Sequence, residues 1–211
     1  MCEFVKIEIE IGIDDRVKPT FAFSFSERRM CLPFQNMIVY VLLFSMLVMK
    51  VHSTCNITTN QQLRDYVDQW IENSTNHPCG AVIGDWDVGR VTDMSYVFCA
   101  STSPSQCNTI RSNFNANISN WDTSRVTDLS STFSYAISVN GDLSNWDVSK
   151  VTNLQDTFRG ATSFTGDGVS NWDTSSVTRL SETFYGARSF TGDGVSNWDT
   201  SRVTTLRSTF Y

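Results

Sequence analysis

The pentad Trp-Asp-[Thr/Val]-[Ser/Gly]-x, followed by Val-Thr-x-[Leu/Met], occurs five times, with its tryptophans at Trp86, Trp121, Trp146, Trp172 and Trp198. The intervals between them are 35, 25, 26 and 26 residues. Self-similarity at such a period means that each repeat is one structural unit, unable to bury its apolar side alone and stacked on its neighbours. A chain of this kind grows in one direction and presents an extended surface rather than one enclosed site. The fifth copy stops in mid-repeat at Phe210-Tyr211, which reads as the start of a longer array.

Within the second repeat, Val126, Leu129, Phe133 and Ala136 are spaced 3, 4 and 3 apart, the spacing of one face of a short helix. Upstream, Ile118 to Trp121 is a β-prone segment, matched by Leu143–Trp146, Val169–Trp172 and Val195–Trp198. One short parallel strand and one helical turn per coil make an α/β right-handed solenoid of leucine-rich-repeat type. A three-residue offset cannot place Ile118 and Trp121 on one face of a regular strand. A bend is therefore expected to turn each Trp inward, because five stacked exposed indoles would form a large apolar patch. The expected repeat core is Trp86, Trp121, Trp146, Trp172 and Trp198 with Phe98, Phe133, Phe158, Phe184 and Phe210. Paired glycines in the duplicated Gly-Asp-Gly turns at 166–168 and 192–194 mark corners with positive φ.

Residues 54–85 do not follow the repeat. Leu63, Tyr66, Val67, Trp70 and Ile71 line one face of an amphipathic helix, with Thr59 or Asn60 as N-cap. Such an element suits an N-terminal cap covering the first coil, so the solenoid proper spans 86–211, with the last of its five copies truncated. Ahead of the cap, residues 37–49 are thirteen residues without a charge. That is short for a membrane span of about 20 residues and fits a signal-peptide h-region. With cleavage before Thr54, residues 37–53 form the signal and its cleavage region. An uncleaved signal-anchor, which would attach the chain to a membrane through 37–49, stays open as the alternative. Residues 1–36 are a leader of mixed charge.

Either reading sends the repeats outside the cytoplasm, and two further features agree. Asn56, Asn73 and Asn117 each open an Asn-x-Ser/Thr glycosylation triplet, all downstream of the apolar run. Four cysteines follow it, Cys55, Cys79, Cys99 and Cys107, an even number that suits an oxidising compartment. Three pairings are formally possible. Cys99 and Cys107 bracket an insertion found only in the first coil, so a bridge there would staple that loop, and Cys55 with Cys79 would tie the cap.

Beyond residue 53 there are 16 acidic and 10 basic side chains, so this part carries the whole net charge of −6. Such a surface repels phosphate backbones and makes nucleic acid an unsuitable partner. No Gly-x-Ser-x-Gly, His-Glu-x-x-His or phosphate loop is present, and His52 and His77 stand without companions; no enzyme and no cofactor are expected. Asp167 and Asp193 in the Gly-Asp-Gly turns are weak calcium candidates, too sparse to assign a metal. The Asp after each Trp has a simpler role as acceptor for turn amides. Thr127, Thr152, Thr178 and Thr204 align into a column better suited to hydrogen-bond laddering than to an interface with ice.

The string Ile-Ser-Asn-Trp-Asp-Thr-Ser-x-Val-Thr-x-Leu-x-x-x-Phe-x-x-Ala resembles the BspA-like leucine-rich-repeat surface-protein family over about residues 80–211. Thr132, Thr157, Thr183 and Thr209 stand where that family often has Met. The resemblance implies a secreted or cell-surface protein with an adhesive or protein-binding role and fixes no ligand. The expected function is non-enzymatic recognition of an extracellular protein or glycan through an extended face. A calcium-stabilised wall or matrix protein is the alternative.

Overall fold

The computed structural model describes residues 6–9, 23–27 and 55–211. The chain forms two compact units, Met1–Val51 and His52–Tyr211. In the first, strands β1 (Lys6–Ile9) and β2 (Phe23–Glu27) pair antiparallel, with Lys6 opposite Glu27 and Ile9 opposite Phe23. The signal or anchor segment expected at 37–53 lies outside the described residues. Among the described residues, no helix is long and apolar enough to cross a membrane.

The second unit opens on helix α1 (Asn60–Glu72), whose N-cap Thr59 accepts a hydrogen bond from the Gln62 amide at 3.2 Å. Leu63 and Val67 are fully buried, and Tyr66, Trp70 and Ile71 pack beside them. Asn60 at the head of the helix donates through Nδ2 to the carbonyls of Asp93 (3.1 Å) and Ser95 (2.7 Å). These belong to the first coil, which has no preceding coil to satisfy them. A Cys55–Cys79 disulfide closes the cap segment on itself.

The leucine-rich-repeat-like solenoid with one strand and one helical turn per coil is not what the repeats form. Among the described residues, they contain no strand and no α-helix. Parallel pairing from repeat to repeat is reduced to single bridges, Asp93 to Asp128, Asp128 to Asn153, Asn153 to Arg179 and Arg179 to Thr205. The physical reason lies in how the amides alternate. Leu129, Ser131, Phe133 and Tyr135 donate to the carbonyls of Asn153, Gln155, Thr157 and Arg159 on the next repeat, at 2.6 to 3.0 Å. The amides between them, Thr132, Ser134 and Ala136, fold back to carbonyls three residues earlier. An α-helix would commit every amide to the carbonyl four residues back. Ser131 and Tyr135 prevent that by adopting φ of 55° and 58°, in the left-handed region. Each repeat is thus a run of tight turns whose alternate amides bind its neighbour.

The same chemistry settles the Ile118–Trp121 segment. The Trp121 amide donates to the Ile118 carbonyl at 3.1 Å, so the segment is a turn with a three-residue period. Both side chains therefore point inward, where a strand would have sent them to opposite faces. The equivalent Val169–Asn171 and Val195–Asn197 are single 3-10 turns. Gly168 and Gly194 precede them at φ of 89° and 90°. A Cβ at Gly168 would lie 2.5 Å from the Ser144 amide of the neighbouring repeat, so that corner admits only glycine.

The interior is a set of aligned columns. Phe98, Phe133, Phe158, Phe184 and Phe210 stack nearly parallel, with successive ring centroids 5.2, 5.5, 5.6 and 5.6 Å apart. Beside them run the buried Thr132, Thr157 and Thr183. The Thr157 hydroxyl lies 3.0 Å from the Leu129 carbonyl of the preceding repeat and 2.7 Å from that of Leu154 in its own. A Met there could bury but could not bridge two carbonyls, so the hydroxyl gives each repeat an additional polar tie to its neighbour.

Candidate recognition face

Trp86, Trp121, Trp146, Trp172 and Trp198 all lie in the interior, Trp121 at 2% exposure. Each from Trp121 onward donates its indole N–H to a carbonyl of the preceding repeat: Ile83, Ile118, Leu143 and Val169, at 2.8 to 3.2 Å. Trp86 has no preceding repeat; its Nε1 is buried without a partner, and its ring stacks on His77 at 4.8 Å. Phe98, Phe133, Phe158 and Phe184 are buried, whereas Phe210 is 62% exposed.

The polar columns are occupied by backbone capping. Asp87, Asp122, Asp147, Asp173 and Asp199 each accept the amide two residues ahead, at 2.8 to 3.2 Å, closing an Asx-turn. Hydrogen bonds from the hydroxyl and amide of Ser149 hold the Asp147 carboxyl below the usual carboxylate range; Ser124 and Ser175 do the same for Asp122 and Asp173. Hydroxyls of Thr127, Thr152, Thr178 and Thr204 donate to the carbonyl of the preceding Thr in the column, at 3.0 to 3.2 Å. Asp167 and Asp193 are exposed and line one shallow cleft with the flanking glycines. Among the described residues, no group of three or more His, Cys, Asp or Glu could hold a metal ion.

Asn56, Asn73 and Asn117 are exposed. The Asn73 Oδ1 accepts from the Thr75 hydroxyl at 2.9 Å, and the Asn117 Oδ1 from the Ser119 amide at 2.9 Å. Cys99 and Cys107 form a disulfide with Cα atoms 4.7 Å apart.

One lateral strip falls on positions that the repeat motif does not mark. Tyr135, Arg159, Tyr185 and Tyr211 come from four successive repeats, one or two positions after the core Phe of each. The Arg159 guanidinium carbon sits 5.9 Å from the Tyr135 ring centre and 5.1 Å from that of Tyr185, and Tyr185 stacks on Tyr211 at 5.0 Å. Arg159 Nη1 also reaches Glu182 at 2.6 Å and Asp156 at 3.2 Å. Tyr135 is 41% exposed, and Tyr185 is half-buried. Gly160 makes room, since a Cβ there would meet the Tyr135 ring at 2.7 Å. A cation held between aromatic rings is ordered without being buried. The signal for this strip lay in the two positions following Phe133, Phe158, Phe184 and Phe210, where a Tyr or Arg recurs; Phe98 is followed by Cys99 and Ala100.

The repeats match the family described as "Mycoplasma protein of unknown function, DUF285", over residues 74–170 and 157–211. The chain belongs to this family. That match replaces the resemblance to BspA-like leucine-rich repeats: the described repeats carry turns and single bridges in place of the strands that a leucine-rich repeat requires. No curated protein and no solved structure matches the chain. The family boundary at residue 74 falls just after α1.

Proposed function

We propose that residues 86–211 are a non-enzymatic recognition module of a secreted or cell-surface protein, binding an extracellular protein or glycan through a lateral face of the stacked repeats. The observation that carries this reading is the Tyr135–Arg159–Tyr185–Tyr211 strip. Tyr and Arg are the side chains that dominate binding energy at macromolecular interfaces, and here they are pre-ordered by the repeat spacing, which lowers the entropy cost of association. The Asp and Thr columns, by contrast, spend their polar atoms on the chain's own backbone. Disulfides at Cys55–Cys79 and Cys99–Cys107 are compatible with an oxidising, extracellular setting.

The test is a binding screen of the purified chain against immobilised extracellular-matrix proteins and glycans, repeated with Arg159→Met. Specific binding lost in the variant supports the reading; binding indifferent to Arg159 and to the tyrosines overturns it. A melting curve with and without chelator separates this reading from a calcium-stabilised structural role, which requires a large drop in melting temperature on chelation.

A further inference from the structure

We infer that the strip is a row of subsites for a linear, uncharged, 1,4-linked polysaccharide lying along the stack, one sugar per repeat. This rests on the recognition reading above and narrows it to one ligand class.

The first support is dimensional. Ring centroids of successive repeats lie 5.0 Å apart at Tyr185–Tyr211, 5.5 to 5.6 Å down the Phe column from Phe133, and 6.0 and 6.3 Å at Trp172–Trp198 and Phe164–Phe190; lateral offset adds to each, so the height of a repeat is near the shortest of them. An extended peptide advances about 3.3 Å per residue, so its side chains on one face recur every ~6.6 Å. It therefore slips by about an ångström or more at each repeat and loses register within a few. An extended β-1,4-linked pyranose chain advances by one sugar over roughly the height of one repeat and turns each ring over relative to the last, so every ring stays in register with a repeat and the same groups return at every second one.

The second support is chemical. Stacking and the Arg159 contacts occupy ring faces within the column, and the tyrosine hydroxyls are groups suited to sugar hydroxyls. Nη1 alone makes both carboxylate contacts of Arg159 and Nε is buried, which leaves Nη2 as the donor for a ligand oxygen. Asp156 and Glu182 beside it are acceptors for hydroxyl donors. The third support is charge. Two carboxylates surround one guanidinium in the strip, on a chain of net charge −6, which disfavours polyanionic glycans.

The test is a calorimetric titration of the full chain with β-1,4-linked glucose and N-acetylglucosamine oligomers of two to six units. Affinity should rise with each added sugar until the four repeats of the strip are spanned, then level off. Arg159→Met and Tyr185→Phe should each lower affinity for the longest oligomer at least tenfold while the melting temperature of Tyr185→Phe stays at that of the parent. Oligogalacturonate, the charged counterpart, should not compete. Absence of binding by every neutral oligomer, or binding unaffected by both variants, overturns the inference. If the oligomers fail but a matrix protein binds in an Arg159-dependent way, the polysaccharide falls and the recognition reading stands. If nothing binds the strip, both fall.

Discussion

Arg111 holds Asp68 of α1 in a two-pronged hydrogen bond, Nε to Oδ1 at 2.6 Å and Nη2 to Oδ2 at 2.9 Å. The same guanidinium donates through Nη1 to the carbonyls of Tyr96 (2.8 Å) and Gln106 (3.1 Å), and Asn108 adds a 2.9 Å bond to Asp68. One buried side chain thus ties together the cap helix, the first repeat and the loop closed by Cys99–Cys107. The insertion that stretches the first interval to 35 residues is what delivers Arg111 to this place.

Asp68→Ala should therefore be costly, because it leaves a guanidinium with a side chain only 3% exposed and no counter-charge. Breaking one partner of such a pair typically costs about 3–5 kcal/mol. Urea unfolding of the variant checks this; a loss near that of an exposed ion pair, below ~1 kcal/mol, would show that the knot is not a structural anchor.

The cap helix was legible in the sequence because Leu63, Tyr66, Val67, Trp70 and Ile71 mark a helical stripe by spacing alone. The repeat interior was legible only as a set of inward side chains. Val126, Leu129, Phe133 and Ala136 are all buried, yet their 3, 4, 3 spacing is met equally by a helix and by consecutive tight turns. The deciding feature is the left-handed residue two before each Phe, namely Tyr96, Ser131, Asp156, Glu182 and Ser208. None of these is a glycine or an asparagine, so nothing local announced it. The Tyr–Arg strip escaped for a different reason. Repeat matching rewards identical residues at fixed offsets, and this strip reads Tyr, Arg, Tyr, Tyr, with Tyr135 one offset away from the other three.

The Trp column predicts a graded response to truncation. Trp146 is 3% exposed, packs against Phe133 and bonds the Ile118 carbonyl at 3.2 Å, so Trp146→Ala should cost about 3–5 kcal/mol. Trp198, at 9% exposure against 3% for Trp146, packs on Trp172 and Phe184, and in the 211-residue chain Trp198→Ala should cost less, with local fraying in place of global loss. Hydrogen exchange distinguishes the two. Equal, fully global destabilisation by both variants would contradict the nearest-neighbour character of the stack.

Acid should loosen the Asx-turns. The Asp147 and Asp122 carboxyls titrate below the ordinary carboxylate range because serine hydroxyls and amides favour the charged form. A folded pKa below the unfolded value means that the unfolded chain binds protons first. The stabilisation is thus complete above about pH 4 and is lost as pH falls through the folded values. The contribution of these turns to melting temperature should hold level down to about pH 4 and then decline, a limb distinct from any loss at higher pH. Asp147→Asn keeps an Oδ1 acceptor for the Ser149 amide and should flatten part of that decline. An unchanged acid limb in this variant would assign the pH dependence to other groups.

His77 adds a separate limb. Burial pushes its pKa down, against an opposing contribution from the Tyr66 backbone carbonyl, while its Nδ1 accepts the Cys79 amide at 3.2 Å. For a base with a lowered folded pKa, stability is complete above the unfolded value near 6.5 and falls as the pH drops below it. Unfolding free energy measured between about pH 7.5 and 5.5 should decrease, and His77→Phe, which keeps a ring against Trp86, should remove that slope. Retention of the full slope in His77→Phe would exclude His77 as its source.

Left-handed backbone at residues other than glycine makes the last prediction. Ser131 has φ 55°, its amide bonds the Gln155 carbonyl at 2.9 Å, and its side chain is buried. The left-handed conformation costs an ordinary residue about 1–2 kcal/mol, and glycine escapes that cost while giving up about 0.5–1 kcal/mol of chain entropy. Ser131→Gly should therefore raise stability by up to about 1 kcal/mol, an increase in urea midpoint at unchanged slope. Ser131→Val carries a β-branched side chain into the same backbone angle and should lower it sharply. If both variants destabilise alike, the Ser131 hydroxyl rather than the backbone angle governs this position.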